Sequence, residues 1–203
     1  MIKFGFKHRV ILNQFREFTR KIVDFSEEEF HALYQLIEIK KYKKGEFFAT
    51  PSKVCHHVGF LLSGIFRVYH LGQDKEITDY FNTTERNPLI SSFSSFLTQT
   101  PGNDYVEAIE DSEIIMISGS NLQKLYDRFK SFERFGRILA EKNYVLALER
   151  IESLQYHSAT QRYESFLQLY PQLINRIPNY YIASYLGVTP ESLSRIRKSL
   201  SSN

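Results

Sequence analysis

The sequence predicts an α+β fold: an antiparallel β-roll or jelly roll, then a long helix, then a small all-helical unit. Three observations carry that expectation. Between Ile39 and Ile117, short apolar stretches are punctuated by Gly45, Gly59, Gly64 and Gly72. From Ser131 to Leu154, apolar residues recur at alternating spacings of three and four. From Arg176 to Leu200, a short helical pattern, a glycine and a second helical pattern with a basic end follow one another.

Composition sets the bounds. The 203 residues include 17 Phe and 13 Tyr, enough for substantial cores. No apolar run reaches the length of a membrane span, and the N-terminus lacks the apolar stretch of a secretory signal. A single cysteine, Cys55, excludes an intrachain disulfide and suits a reducing compartment. A cytoplasmic protein without a membrane partner is expected. Net charge is only +3 but uneven: residues 1–25 hold six Lys/Arg against two acids, residues 158–203 five against two, and residues 26–157 fifteen against nineteen. Basic ends and an acidic body suit a polyanionic partner. The run Lys40, Lys41, Lys43, Lys44 reads as a solvated face.

Ser26 followed by Glu27, Glu28 and Glu29 has the form of a helix cap with an acidic first turn. The helix should run through Phe30, Leu33, Tyr34 and Ile37 and end near Glu38. Val10 to Phe25 has a looser helical pattern. Strands are expected at 60–62, 65–69, 77–81, 105–109 and 113–117, with a hairpin turn from Gly72 to Lys75. A parallel sheet is not expected, because no long helical patterns alternate with these strands. A short helix starts at Asn121. The stripe of the long helix comprises Phe132, Phe135, Leu139, Lys142 and Leu146, widened by Ile138, Val145 and Leu148. So broad an apolar face must be buried against its own roll, a partner chain or both, and a homodimer is the expectation. Ala159 to Leu169 is a further helix, stopped by Pro171. The expected division is 1–130, 131–156 and 157–203.

The tail has the layout of a helix-turn-helix reader of double-stranded DNA. Asn179 is placed to cap its first helix, and Tyr180, Ile182, Ala183 and Leu186 supply the buried side. Gly187 permits the turn, Val188 plugs the angle, Thr189 caps the second helix and Pro190 suits its first turn. Leu193 and Ile196 face inward. Pro190, Glu191, Ser192, Ser194, Arg195 and Arg197 are left outward or at the edge. Arg195 can donate twice to guanine, and Glu191 can accept from cytosine. Thr189, Ser192, Ser194, Arg197 and Lys198 suit phosphate.

The chain resembles the Crp/Fnr family of bacterial transcription regulators, most sharply over IASYLGVTPESLSRIRK, residues 182–198. The Lys44-Gly45-Glu46 turn, the stretch from Phe60 to Val68 and the long helix also match, in a pattern closest to the short Bacteroidetes-type branch. The resemblance implies a cyclic-nucleotide-binding-like roll, a dimerisation helix, and RNA polymerase as a further partner. It carries the family's DNA-contacting glutamate to Glu191 and its second recognition arginine to Arg195. The first recognition arginine falls on Pro190. Little sequence follows the second helix, so a reduced or absent wing is expected.

In members that bind cyclic AMP, a glutamate and an arginine hold the nucleotide. Residues 89–103 here contain neither, so cyclic AMP is not expected, and no cofactor is assigned. Phe81, Phe93, Phe96 and Tyr105 are candidates to line an effector pocket or to fill the core. Arg67 is a candidate to meet an anionic effector or an acidic neighbour. Cys55, His56 and His57 cannot all converge on a metal from one strand, because neighbours point oppositely. The remaining histidines are dispersed, so neither a metal site nor an enzyme is expected. The alternative reading is a signalling or scaffold protein whose roll binds a ligand or partner and whose DNA-binding domain is degenerate.

Overall fold

A computed structural model describes residues 6–73 and 75–201, with side chains from residue 12 onward. The described residues begin with α1 (Phe6–Arg20) and α2 (Glu27–Tyr34). Ser26 and Glu29 form a reciprocal capping box at the start of α2. This helix ends earlier than the sequence suggests. Ile37 and Glu38 already belong to β1 (Ile37–Tyr42), where they pair with Ile117 and Met116. The partner strand overrides a helical spacing that the local sequence also allows.

The roll continues through β2 (Phe47–Ala49), β3 (His57–Ser63), β4 (Phe66–Leu71), β5 (Glu76–Asn82) and β6 (Leu89–Ile90). After α3 (Phe93–Thr98) come β7 (Tyr105–Ala108) and β8 (Ser112–Ser118). All pairings are antiparallel, in two four-stranded sheets ordered β1-β8-β3-β6 and β2-β7-β4-β5. The hairpin expected at Gly72–Lys75 includes Asp74, which lies outside the described residues, and Leu71 pairs with Glu76 on either side of it. Gly64 has φ +93°, and a Cβ there would strike Ser112, so the β3–β4 corner needs glycine.

Helix α4 (Gly119–Arg128) leads into α5 (Lys130–Tyr156). Helix α6 (Ala159–Leu169) begins at a Ser158–Gln161 capping box and stops before Pro171. A 3-10 turn precedes α7 (Asn179–Leu186) and α8 (Pro190–Ser201).

Three apolar clusters define four layers. Leu12, Phe15, Phe30, Leu33, Leu125 and Phe132 cover one outer face of the roll at Phe60, Leu62 and Ile115. Leu61, Phe66, Val68, Ile90, Val106 and Ile114 fill the space between the sheets. Ile65, Phe81 and Ile109 carry the other outer face into Phe166, Tyr170, Leu173, Ile182 and Leu186 of the C-terminal helices. Strand β4 is therefore covered on both sides. Its run IFRVY lacks polar alternation for that reason.

Candidate nucleic-acid interface

Helices α7 and α8 form the turn the sequence predicts. Gly187 sits at φ +67°, Val188 N–H donates to the Ala183 carbonyl (3.0 Å), and Ser192 N–H donates to the Thr189 hydroxyl (3.2 Å). Ile182, Ala183, Leu186 and Leu193 are buried, with Val188 and Ile196 packed beside them. Two details of α7 differ from expectation. Pro178 takes the cap position, and Asn179, one residue inside, accepts a hydrogen bond from Arg197 (2.8 Å). Tyr180 is exposed and leans on Tyr181, because only positions 182, 183 and 186 point at the core.

The far side of α8 is open. Thr189, Pro190, Glu191, Ser194, Arg195 and Lys198 are exposed and Ser192 is half-buried. The backbone N–H of Glu191, then the Thr189 hydroxyl and the charge of Arg195, hold its carboxyl below the usual carboxylate range. Glu191 is thus an ionised acceptor one helical turn from a cation. Ser194 donates its hydroxyl to the Pro190 carbonyl (3.0 Å), so its proton is turned back along the helix. Arg197 turns inward. It donates to the Tyr163 hydroxyl (3.0 Å) and to Asn179, and its second terminal nitrogen is buried. This side chain, expected at phosphate, ties α8 to α6 and α7 in the structure.

The five candidates for an effector pocket do not converge. On β4, Arg67 and Tyr69 share the outer face and sit opposite Glu107 and Tyr105. Tyr105 stacks on Tyr69 (5.0 Å), Arg67 lies over Tyr69 and over Tyr181 (3.8 Å each), and Tyr181 leans on Tyr180. Arg67 is 1% exposed and pairs with Glu76 (2.7 Å) and Glu107 (3.0 Å). It therefore bolts the roll to α7. Phe81 is wholly buried in the same seam. Phe96 packs over Gly119. Phe93 lines a cavity of about 540 Å3 between the roll, α5 and α6.

Other polar groups that seal the seam carried no sequence signal. Ser184 accepts from Thr78 N–H (2.9 Å) and donates to the Glu76 carbonyl (2.8 Å), occupying the open edge of β5. Arg150 donates to the carbonyls of Thr78 and Tyr185, and Arg162 donates to that of Leu186 (2.9 Å). Two cations thus meet the negative end of α7.

The long helix has two apolar sides. Phe132 is buried against Phe25 (4.3 Å), and Phe135 packs on Phe18 and Phe25, so both are taken up within the chain. Ile138, Leu139 and Leu146 are half-buried, and Lys142 and Val145 are exposed. A second row, Tyr144, Leu148, Ile151 and Leu154, is between 46% and 65% exposed. The sequence stripe mixed these two sides.

Cys55 is buried, with its sulfur on the His57 carbonyl (3.4 Å) and beside Ser91, while His56 bonds Gln99. Among the described residues, no three His, Cys, Asp or Glu side chains gather to hold a metal ion, and no helix is long and apolar enough to cross a membrane.

Residues 39–129 match the cyclic nucleotide-binding domain family. No curated protein matches the chain. Among solved structures, FixK2 from Bradyrhizobium japonicum is 19% identical, with 82% of this chain and 85% of that one covered and a TM-score of 0.68. A CooA variant from Carboxydothermus hydrogenoformans is 21% identical, covering 84% and 78%, with a TM-score of 0.66. A protein described as a Crp/Fnr-family regulator, from Eubacterium rectale, is 18% identical, covering 87% and 84%, with a TM-score of 0.68. The chain thus carries a stretch similar to the cyclic nucleotide-binding domain family and shares the overall fold of these solved structures.

Proposed function

We propose that this chain is a sequence-specific, DNA-binding transcriptional regulator that acts as a homodimer and has no catalytic role. The observation that carries the reading is the outward side of α8, where Glu191 and Arg195 stand exposed one turn apart on a helix anchored by Leu193. Such a helix enters the major groove, with Arg195 reading guanine and Glu191 reading cytosine. Thr189, Ser192 and Lys198 are the phosphate contacts. The row Tyr144, Leu148, Ile151 and Leu154 joins two copies along α5, so two readers address a two-fold site. RNA polymerase is the further partner that a regulator of this kind takes.

The signal is a small molecule other than cyclic AMP. The one charged residue between Leu89 and Asp104 is Asp104 itself, which accepts a hydrogen bond from Ser92 (2.8 Å). A carboxylate there disfavours a cyclic phosphate.

A second reading, a ligand-binding signalling protein with a degenerate reader, draws on Pro190 and Arg197, which leave α8 two donors short. Fluorescence anisotropy with DNA from upstream of its own gene separates the two. A regulator binds a subset of fragments, with affinity falling as salt rises. Arg195→Ala should cost about 1–3 kcal/mol of discrimination between the preferred site and random DNA. Equal losses on both would reduce Arg195 to a backbone contact, and no binding to any fragment would favour the second reading.

A further inference from the structure

The cavity between the roll, α5 and α6 lies outside the 89–103 stretch except for Phe93, and Tyr185 of α7 forms part of its wall. Phe93, Leu146, Phe166, Leu169 and Tyr170 give it an apolar lining. Three guanidinium groups edge it: Arg86 from the β5–β6 loop, Arg150 from α5 and Arg162 from α6. Two carboxylates oppose them. Glu149 is 3.6 Å from Arg86 and largely solvated, and Asp79 is engaged by His70 at 3.3 Å, with burial pushing its carboxyl up. Positive charge is therefore in excess around an apolar space. A cavity of about 540 Å3 is in the size range of small-ligand sites.

We infer that this cavity binds an organic monocarboxylate with an apolar body, its carboxylate held by Arg86, Arg150 and Arg162. Each guanidinium carries more N–H groups than its protein partners use. Arg150 donates through one terminal nitrogen to Thr78 and Tyr185, and Arg162 through two nitrogens to Leu186 and His157. Both therefore hold the last carbonyls of α7, directly before the turn of the reader. A carboxylate drawn to the same arginines is coupled to the reader by construction. Ile151 belongs both to the exposed row of α5 and to the cavity lining, so pairing of two chains along that row borders the cavity.

This inference deepens the regulator reading, and its test is kept separate from DNA. Isothermal titration of the full chain with phenylbutyrate, and with the uncharged phenylbutanol, measures the contribution of the carboxylate. Phenylbutyrate should bind about tenfold more tightly than the alcohol. Arg86→Met should narrow that gap, and Leu146→Trp, which fills the cavity, should abolish binding while its circular-dichroism melt stays that of a folded protein. Equal affinity for acid and alcohol, no heat from the acid, or unchanged binding by a folded Leu146→Trp variant would overturn the site. Binding by a protein that shifts no DNA would support the cavity and sink the regulator reading. Selective DNA binding by a protein that ignores the acid would do the reverse.

Discussion

The two outer faces of the roll are covered in physically different ways. On the sheet of β1, β8, β3 and β6, the cover is N-terminal helices and the start of α5, and the contact is almost wholly aromatic and aliphatic. Phe15, Phe18, Phe25, Phe60, Phe132 and Phe135 pack ring on ring there. On the sheet of β2, β7, β4 and β5, the cover is the C-terminal helices α6 to α8. Its apolar patch is crossed by Arg67 with two carboxylates, by Ser184 on a strand edge, and by Arg150 and Arg162 on helix carbonyls. A dry aromatic face is a fixed part of the core. A face closed by polar partners has groups that water can satisfy equally well when it opens. The C-terminal helices are thus seated on the more separable of the two.

The comparison can be broken by substitution. Phe132→Ala on the dry face should lower the stability of the whole chain by about 3–5 kcal/mol in urea denaturation, because it empties a buried aromatic site. Arg67→Ala on the wet face leaves the half-enclosed Glu107 carboxylate unpaired and should cost about 3 kcal/mol. Its mark should be local: faster hydrogen exchange in α7 and α8, with the amides of α1 and α2 unchanged. Equal loss of protection on both faces would show that they open together. Ser184→Ala should give the same pattern at a smaller scale, about 1–2 kcal/mol, since it strands the Thr78 N–H and the Glu76 carbonyl.

Alkali gives the mildest test. Burial pushes the Tyr69 and Tyr170 phenols, both in the seam, up to about 12. A raised folded value means that the neutral ring stabilises the fold fully below the ordinary tyrosine range near 10. That contribution is lost as pH rises from there through about 12. Thermal melts across this window should fall, and the loss of protection should begin in α7.

Much of the helix-turn-helix was legible in its residues. Thr189, Pro190, Gly187 and the spacing of Ile182, Ala183, Leu186 and Leu193 are local requirements of two short helices meeting at a tight turn, and local requirements leave local marks. The same holds for the Ser26 capping box and for the stop at Pro171. The strands β1, β2 and β6 left weaker marks, because two- or three-residue pairings and a strand following a helix by two residues carry no period long enough to read. The inward turn of Arg197 left no mark for a related reason. Its position on α8 is set by helix geometry, but its direction depends on Tyr163 and Asn179, which are distant in sequence.

What the sequence determined by itself was the order of parts: an antiparallel roll, a long helix and a helix-turn-helix with Glu191 and Arg195 on its open side. Each follows from periodicity, caps and turns within some twenty residues. Only the tertiary structure decided what those parts do to one another. It turned Arg67 from a candidate ligand contact into a bolt between Tyr69 and Tyr181, divided the apolar stripe of α5 between the chain's own core and an open row, and enclosed a cavity among three elements. Those outcomes depend on surfaces brought together from distant segments, and a burial shared by two such surfaces has no spacing in either one.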